Sequence, residues 1–120
     1  MDRLERIFKA LSDETRLRIM GLVFRQGPLC VCEVEALLGI TQSKASRHLR
    51  YMHNAGVLTA ERDGVTVNYG LPVDPDAELA AVLVLLRGLL ADPPSPQRSP
   101  QLVQIRMARA RESGAAGVEA

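Results

Sequence analysis

A mainly α-helical fold carrying one β-hairpin, arranged as a winged helix-turn-helix, is predicted by three features of this 120-residue sequence. Apolar residues recur at helical spacing through the successive segments of the first half. Two of those helices are short and are joined by three or four residues including Gly39, which fits a helix-turn-helix. Asp63-Gly64 then stands between two runs rich in β-branched residues, a strong short-range hairpin signal.

The elements follow in order. Asp2 to Leu11 places Leu4, Ile7, Phe8 and Leu11 on one helical face. Ser12-Asp13 reads as a break and an N-cap. A second helix runs from about Glu14 to Arg25, with Leu17, Met20 and Phe24 on one face, and Gly27-Pro28 ends it. Its acidic first turn and basic last turn suit the helix dipole. LCVCEVEALLGI, from Leu29, is a short helix candidate with Val34, Leu37 and Leu38 inward. Thr41 caps the next helix, Gln42 to Asn54, whose inward stripe is Ala45, Leu49 and Met52. Val57 to Arg62 and Val65 to Leu71 form the hairpin strands. Asp76 to Ala91 is a strongly apolar helix.

The region Asp92 to Pro100 holds four prolines in nine residues, a linker by composition. Two regions follow from this: residues 1–91 as the folded winged helix-turn-helix domain, and residues 92–120 as linker and flexible tail. The last 20 residues, from Gln101, read as either a weak Arg-bearing helix or disordered chain.

Composition bounds the function classes. Apolar residues make up 47% of the chain, enough for one core, but aromatic residues only 3%, so aliphatic side chains build it. Fifteen basic residues against 14 acidic exclude a polybasic protein. A local basic patch can still hide in a neutral total. The longest apolar run, Leu79 to Leu86, is far below the ~20 residues of a membrane span. MDRLERIF carries charges where a signal peptide needs an apolar stretch, so a cytoplasmic protein is expected. Cys30 and Cys32, the only cysteines, exclude a disulfide scaffold and are expected as free thiols.

The helix from Gln42 to Asn54 carries the candidate nucleic-acid face. Gln42, Ser43, Lys44, Arg47 and Arg50 point away from its apolar stripe, with Ser46 and His48 beside them. Laid in a major groove, the N-terminal residues of such a helix meet base edges. Lys44, Arg47 and Arg50 suit phosphates, and Arg also suits guanine. Arg62, near the hairpin tip, would touch the DNA backbone. A solvated basic helix face is the plainer alternative for three cations on one helix.

Three stretches carry a family resemblance: FKALSDETRLRIMGLV (Phe8 to Val23), LCVCEV (Leu29 to Val34) and TQSKASRHLRYMHNAGVLTAERDGVTVNYGL (Thr41 to Leu71). In unbroken order over more than half the chain, they resemble the ArsR/SmtB family of metal-responsive transcriptional repressors. The resemblance implies a homodimer that binds operator double-stranded DNA and leaves it when metal binds. Asp76 to Ala91 contains no His, so it does not match the family's zinc or nickel sites. It is expected instead to be a dimerisation helix, packing with Leu4, Ile7, Phe8 and Leu11. Cadmium and lead sensors of the family use more Cys than exist here. His48 and His53 are expected in structural or DNA-facing roles.

Cys30-Val31-Cys32, just ahead of the helix-turn-helix, is similar to the arsenic and antimony sensors of that family. This implies As(III) or Sb(III) as inducer, held by Cys30 and Cys32. Thiolates are soft donors and suit soft ions. On a regular helix, residues i and i+2 point about 200° apart, so the two sulfurs could not share one ion there. Binding should therefore favour a non-helical start to this segment. Fuller arsenic-sensor patterns show a third Cys where this sequence has Glu35. The third ligand would then be Glu35, solvent or a cellular thiol, and a monomethylated trivalent arsenical is also left open.

Two other classes compete with the metalloid-responsive repressor. In one, Cys30 and Cys32 act as a redox or persulfide switch on the same fold, although a Cys-x-Cys disulfide closes a tight ring. In the other, the thiols are enzymatic, which needs a cation or helix N-terminus to stabilise a thiolate. Glu33 and Glu35 flank the pair, and the sequence has no Cys-x-x-Cys and no Gly-rich phosphate loop, so an enzyme is not expected. Free cysteines are also common as small buried core residues.

Overall fold

The computed structural model describes residues 2–90 and 99–117. Helices α1 (Asp2–Leu11) and α2 (Glu14–Gln26) lead into a two-residue strand β1 (Leu29–Cys30), then α3 (Val31–Leu38) and α4 (Gln42–Asn54). Strands β2 (Thr59–Asp63) and β3 (Thr66–Gly70), and helices α5 (Ala77–Leu90) and α6 (Pro100–Gly117), complete the order. The architecture is a winged helix-turn-helix with the expected β-hairpin.

Local chemistry sets the helix ends. The Asp13 carboxylate accepts from the Arg16 N–H at 3.0 Å, and Thr41 Oγ1 accepts from the Lys44 N–H at 3.2 Å. Both are N-cap bonds that satisfy an otherwise orphan donor. Gly39 ends α3 in the left-handed conformation (φ +66°), which its lack of Cβ permits, and so makes the turn between α3 and α4.

Ile7, Ile19, Met20, Val34, Ala45, Leu49, Met52 and Leu79 are buried together. Ala45, Leu49 and Met52 are fully buried, as the stripe on α4 predicts. That burial fixes which face of α4 remains outside.

The structure corrects four expectations. The run from Leu29 does not begin as helix. Leu29 and Cys30 pair antiparallel with Tyr69 and Asn68 of β3, so the sheet has three strands in the order β1-β3-β2. Two residues of strand carry too little alternation to be read from sequence. The hairpin exists, but Asp63 pairs with Thr66, so its turn is Gly64-Val65 rather than Asp63-Gly64. The positive φ (+66°) falls on Gly64 as such a tight turn requires.

Third, Leu79, Val82, Leu83 and Leu86 of α5 are buried within the protomer, where α5 packs on α2 and α1. The apolar residues left exposed on α5 are Val84, Leu85 and Leu89, with Phe8 on α1. The near-continuous apolar sequence of α5 hid which stripe faces inward. Fourth, the flexible tail gives way to the helical alternative over Pro100–Gly117. Ser99 caps α6 by accepting from the Leu102 N–H at 3.1 Å, and Leu102 is fully buried in the core. Ser99 N–H also donates to Gln26 Oε1 at 2.8 Å. The segment is held by tertiary contacts that its weak periodicity does not announce. The expected linker over 92–98 lies outside the described residues.

Candidate functional site

Cys30 is the N-cap of α3, with extended backbone (φ −91°, ψ 170°), and Cys32 lies in the first turn. A helix that starts after the first cysteine removes the angular problem of the i, i+2 spacing. The two sulfurs converge to 3.0 Å as free thiols. The non-helical start expected for metalloid binding is therefore already present. Joint use of the two sulfurs requires no melting of α3.

The start of α3 is enforced by Glu33. Its side chain is fully buried and its Oε1 accepts from the Cys30 N–H at 3.0 Å, closing a capping box. A buried carboxylate needs partners. They come from α6. Arg106 Nε donates to Glu33 Oε2 at 2.7 Å and Arg109 Nη2 to the same oxygen at 2.8 Å. Arg106 Nη2 also donates to the Pro28 carbonyl at 3.1 Å. Burial opposes ionisation of Glu33, but the Arg106 bond, the Cys30 N–H and the two guanidinium charges outweigh it and hold its pKa below the usual carboxylate range.

Arg109 touches the cysteines directly. Its Nη1 lies 2.9 Å from Cys30 Sγ and 3.1 Å from Cys32 Sγ. Burial first, then the bond to Cys32 and the Glu33 charge, push the Cys30 thiol up. For Arg109, burial opposes the charged form, but the bonds to Cys32 and Cys30 and the charges beside it raise its pKa. Sequence reasoning missed Arg106 and Arg109. The i, i+3 spacing of the pair on a candidate helix was the available signal, and nothing local tied it to a site more than 70 residues upstream.

On its other side the pair opens to a cleft of about 350 Å³ lined by Cys30, Cys32, Glu35, Gln42, Thr66 and Tyr69. The cleft joins the thiols to the first residue of α4 and to the wing strand β3. Glu35, the carboxylate considered as a third ligand, is half-buried in its wall. Two soft donors at this separation fit a trivalent metalloid, with its third position left to a group other than a third cysteine of this chain. Among the described residues, no group of three or more His, Cys, Asp and Glu could hold a metal ion, so the thiol pair stands alone as a soft donor set.

The candidate nucleic-acid residues divide into two sets. Gln42, Ser43, Lys44, Arg47 and Arg50 are exposed on α4, and Arg62 is exposed near the wing tip. Ser46 is half-buried and accepts from Arg50 Nη2 at 2.8 Å, which braces that guanidinium. His48 is also half-buried but turns toward α2, its Nδ1 3.3 Å from Arg16 Nη1. Burial and neighbouring cations hold its pKa below the usual histidine value, against the pull of Asp13. Arg16 is itself fixed by the Ala10 carbonyl at 2.6 Å and stacks on the Tyr51 ring at 4.3 Å. His53 is structural, with Nδ1 3.2 Å from the Leu58 carbonyl. Among the described residues, no helix is long and apolar enough to cross a membrane.

Known proteins are similar to this chain in sequence and fold. Residues 13–60 match the family model for bacterial regulatory protein, arsR family. Over 65 residues the chain is 46% identical to an arsenic resistance transcriptional regulator of Pseudomonas putida, covering 54% of this chain and 51% of that protein. The chain spans about half the length of the first curated relatives it matches. Among solved structures, the transcriptional regulator HlyU of Vibrio vulnificus is 33% identical with a TM-score of 0.57, covering 71% of this chain and 84% of that one. The AntR antimony-specific transcriptional repressor is 32% identical with a TM-score of 0.55, covering 69% and 72%. The matched residues take in the cysteine pair and the α3–α4 helix-turn-helix, and the chain belongs to the arsR family of bacterial regulatory proteins.

Proposed function

We propose that this protein is an arsenic(III)- or antimony(III)-responsive transcriptional repressor of the cytoplasm. It binds operator DNA as a homodimer and is released when the metalloid takes Cys30 and Cys32. The observation that carries this reading is the 3.0 Å approach of two free thiols on a cleft shared with Gln42 and β3.

Gln42 and Ser43 stand at the end of α4 that meets base edges, and Lys44, Arg47 and Arg50 supply phosphate or guanine contacts. Arg62 adds a wing contact to the backbone. A ligand held by both sulfurs stands where α4 and the wing meet. Any shift it forces there changes the angle between the two DNA-contacting elements. Ligand and operator are then linked by a coupling free energy, typically about 1–3 kcal/mol. The dimer is assigned to the outer face of α5, where Val84, Leu85 and Leu89 remain exposed, together with Phe8 of α1. Names of relatives that refer to arsenic resistance and antimony support the inducer class.

The close thiols also favour a second reading, a redox- or persulfide-responsive repressor on the same fold. One experiment separates the two: operator binding titrated with arsenite, antimonite, cadmium and peroxide. Release by arsenite or antimonite at one equivalent per cysteine pair supports the first. Release by peroxide alone supports the second.

A further inference from the structure

We propose that Arg109 is the inducer-discriminating residue of the dithiol site, favouring a trivalent arsenical that retains a hydroxyl over one that carries a methyl group. This rests on the dithiol reading above and deepens it.

The two ligand classes leave different groups at the site. Arsenous acid condenses with both thiols: two As–O bonds break, two As–S bonds form, and two waters leave carrying the two S–H protons. Arsenic stays trivalent and keeps one hydroxyl. Monomethylarsonous acid loses both of its hydroxyls in the same condensation and presents its methyl group. With only two cysteines in the chain, no third cysteine sulfur is present to displace that last substituent.

Arg109 is the group placed to meet it. Its Nη1 is 2.9 and 3.1 Å from the two sulfurs, so an atom bonded to both lies within reach of the same N–H group. The guanidinium is also held in orientation. Nη2 is bonded to Glu33 Oε2 at 2.8 Å, and Glu33 is fully buried and pinned by Arg106 and by the Cys30 N–H. A hydroxyl accepts a charge-assisted hydrogen bond from this fixed donor. A methyl group cannot, and it leaves the donor facing carbon. α6 thus contributes to inducer choice from the far end of the chain.

The test is direct titration of the full-length protein with arsenite and with methylarsenite, followed by near-ultraviolet sulfur-to-arsenic absorption. The quantity read is the change, from parent to variant, in the ratio of the two dissociation constants, which cancels the intrinsic thiol affinity of each compound. Arg109→Met is expected to shift that ratio about tenfold toward methylarsenite, the worth of one charge-assisted hydrogen bond at a partly exposed donor. Arg111→Met removes an exposed guanidinium of the same helix that is outside the Glu33 and sulfur contacts described above, so it should leave the ratio unchanged. Circular dichroism establishes that both variants are folded. An unchanged ratio in folded Arg109→Met, or an equal shift in Arg111→Met, overturns the proposal while leaving the dithiol site intact. Undiminished arsenite binding by the Cys30→Ser, Cys32→Ser double variant overturns the dithiol reading and this proposal with it.

Discussion

The backbone N–H of Cys30 donates to the buried Glu33 carboxylate at 3.0 Å, and that bond fixes where α3 begins. One residue earlier, both cysteines would lie within the helix with their sulfurs on opposite sides. Glu33→Ala removes the cap acceptor and the anchor for Arg106 and Arg109. A loss of about 1–3 kcal/mol in urea unfolding is expected, because the freed guanidiniums, partly exposed, can rehydrate. Glu33→Gln keeps an acceptor for Cys30 and should lose less. Arsenite affinity should fall in the same order. Equal stability in the two variants would show that the cap does not set the helix start.

Cys30→Ser and Cys32→Ser should bind operator as the parent does. The DNA face on α4 is formed by Thr41 capping and by burial of Ala45, Leu49 and Met52, none of which needs sulfur. Each variant should fail to release operator on arsenite addition, since one sulfur cannot bridge. Gel-shift titrations check both halves. Glu35→Ala should matter less, because a carboxylate is a hard and poor partner for trivalent arsenic.

On the recognition helix, Arg47→Ala should weaken operator binding by about 1–3 kcal/mol if the guanidinium reads a guanine. If it meets phosphate, the loss should be uniform across sequences and the salt slope should fall by about one unit per half-site. Arg50→Ala tests the Ser46 brace at 2.8 Å in the same assay. A triple Ala variant of Lys44, Arg47 and Arg50 with unchanged affinity and slope would remove α4 from the interface.

Much of this was legible in the sequence because the signals are local. Asp13 and Thr41 announce their helices by cap chemistry, and α4 announces its buried stripe by period. The thiol pair was legible as chemistry, but its geometry was not. That geometry depends on a strand of two residues and on a capping box whose acid is neutralised from α6. Glu33 reads from sequence as a neighbour that disfavours thiolate, and its charge does push the Cys30 thiol up; its pairing does not show in the sequence. In the fold it is turned inward and paired, and what faces the sulfurs is Arg109. Pairings across more than 70 residues leave no periodic trace. The outward stripe of α5 was hidden for a different reason: a helix apolar on nearly all sides does not say which side is buried.

That outward stripe carries the dimer prediction. Leu85→Glu with Leu89→Glu should shift sedimentation from about twice 13.1 kDa toward the single-chain mass. Leu79 and Leu86 would be the wrong choice, as both are buried within the protomer and their loss would unfold it. Operator affinity should drop with the dimer, because two half-sites are no longer bound together. A parent protein that sediments as a single chain at micromolar concentration would remove the dimer.

Acid should destabilise the fold in two stages, both of the same sign. His48 has a folded pKa below its unfolded value near 6.5, because burial and the adjacent Arg16, Arg47 and Lys44 charges outweigh the attraction of Asp13. Its neutral form is favoured in the folded state, so its contribution is fully present above the unfolded pKa and is lost as pH falls through the folded one. Glu33 and Asp13 also have depressed pKa values: in Glu33 burial is outweighed by the Arg106 bond, the Cys30 N–H and the two guanidinium charges together, and in Asp13 the Arg16 N–H is the largest cause. Their stabilisation is present above the unfolded carboxylate range near 4 and is lost as pH falls through their folded values. Thermal melts should therefore fall gently below about pH 6.5 and more steeply below about pH 4. His48→Gln should abolish the first decline and spare the second, while Glu33→Gln should reduce the second and spare the first. A melting temperature that rises between pH 6.5 and 5 in the parent protein would contradict the buried, cation-flanked placement of His48.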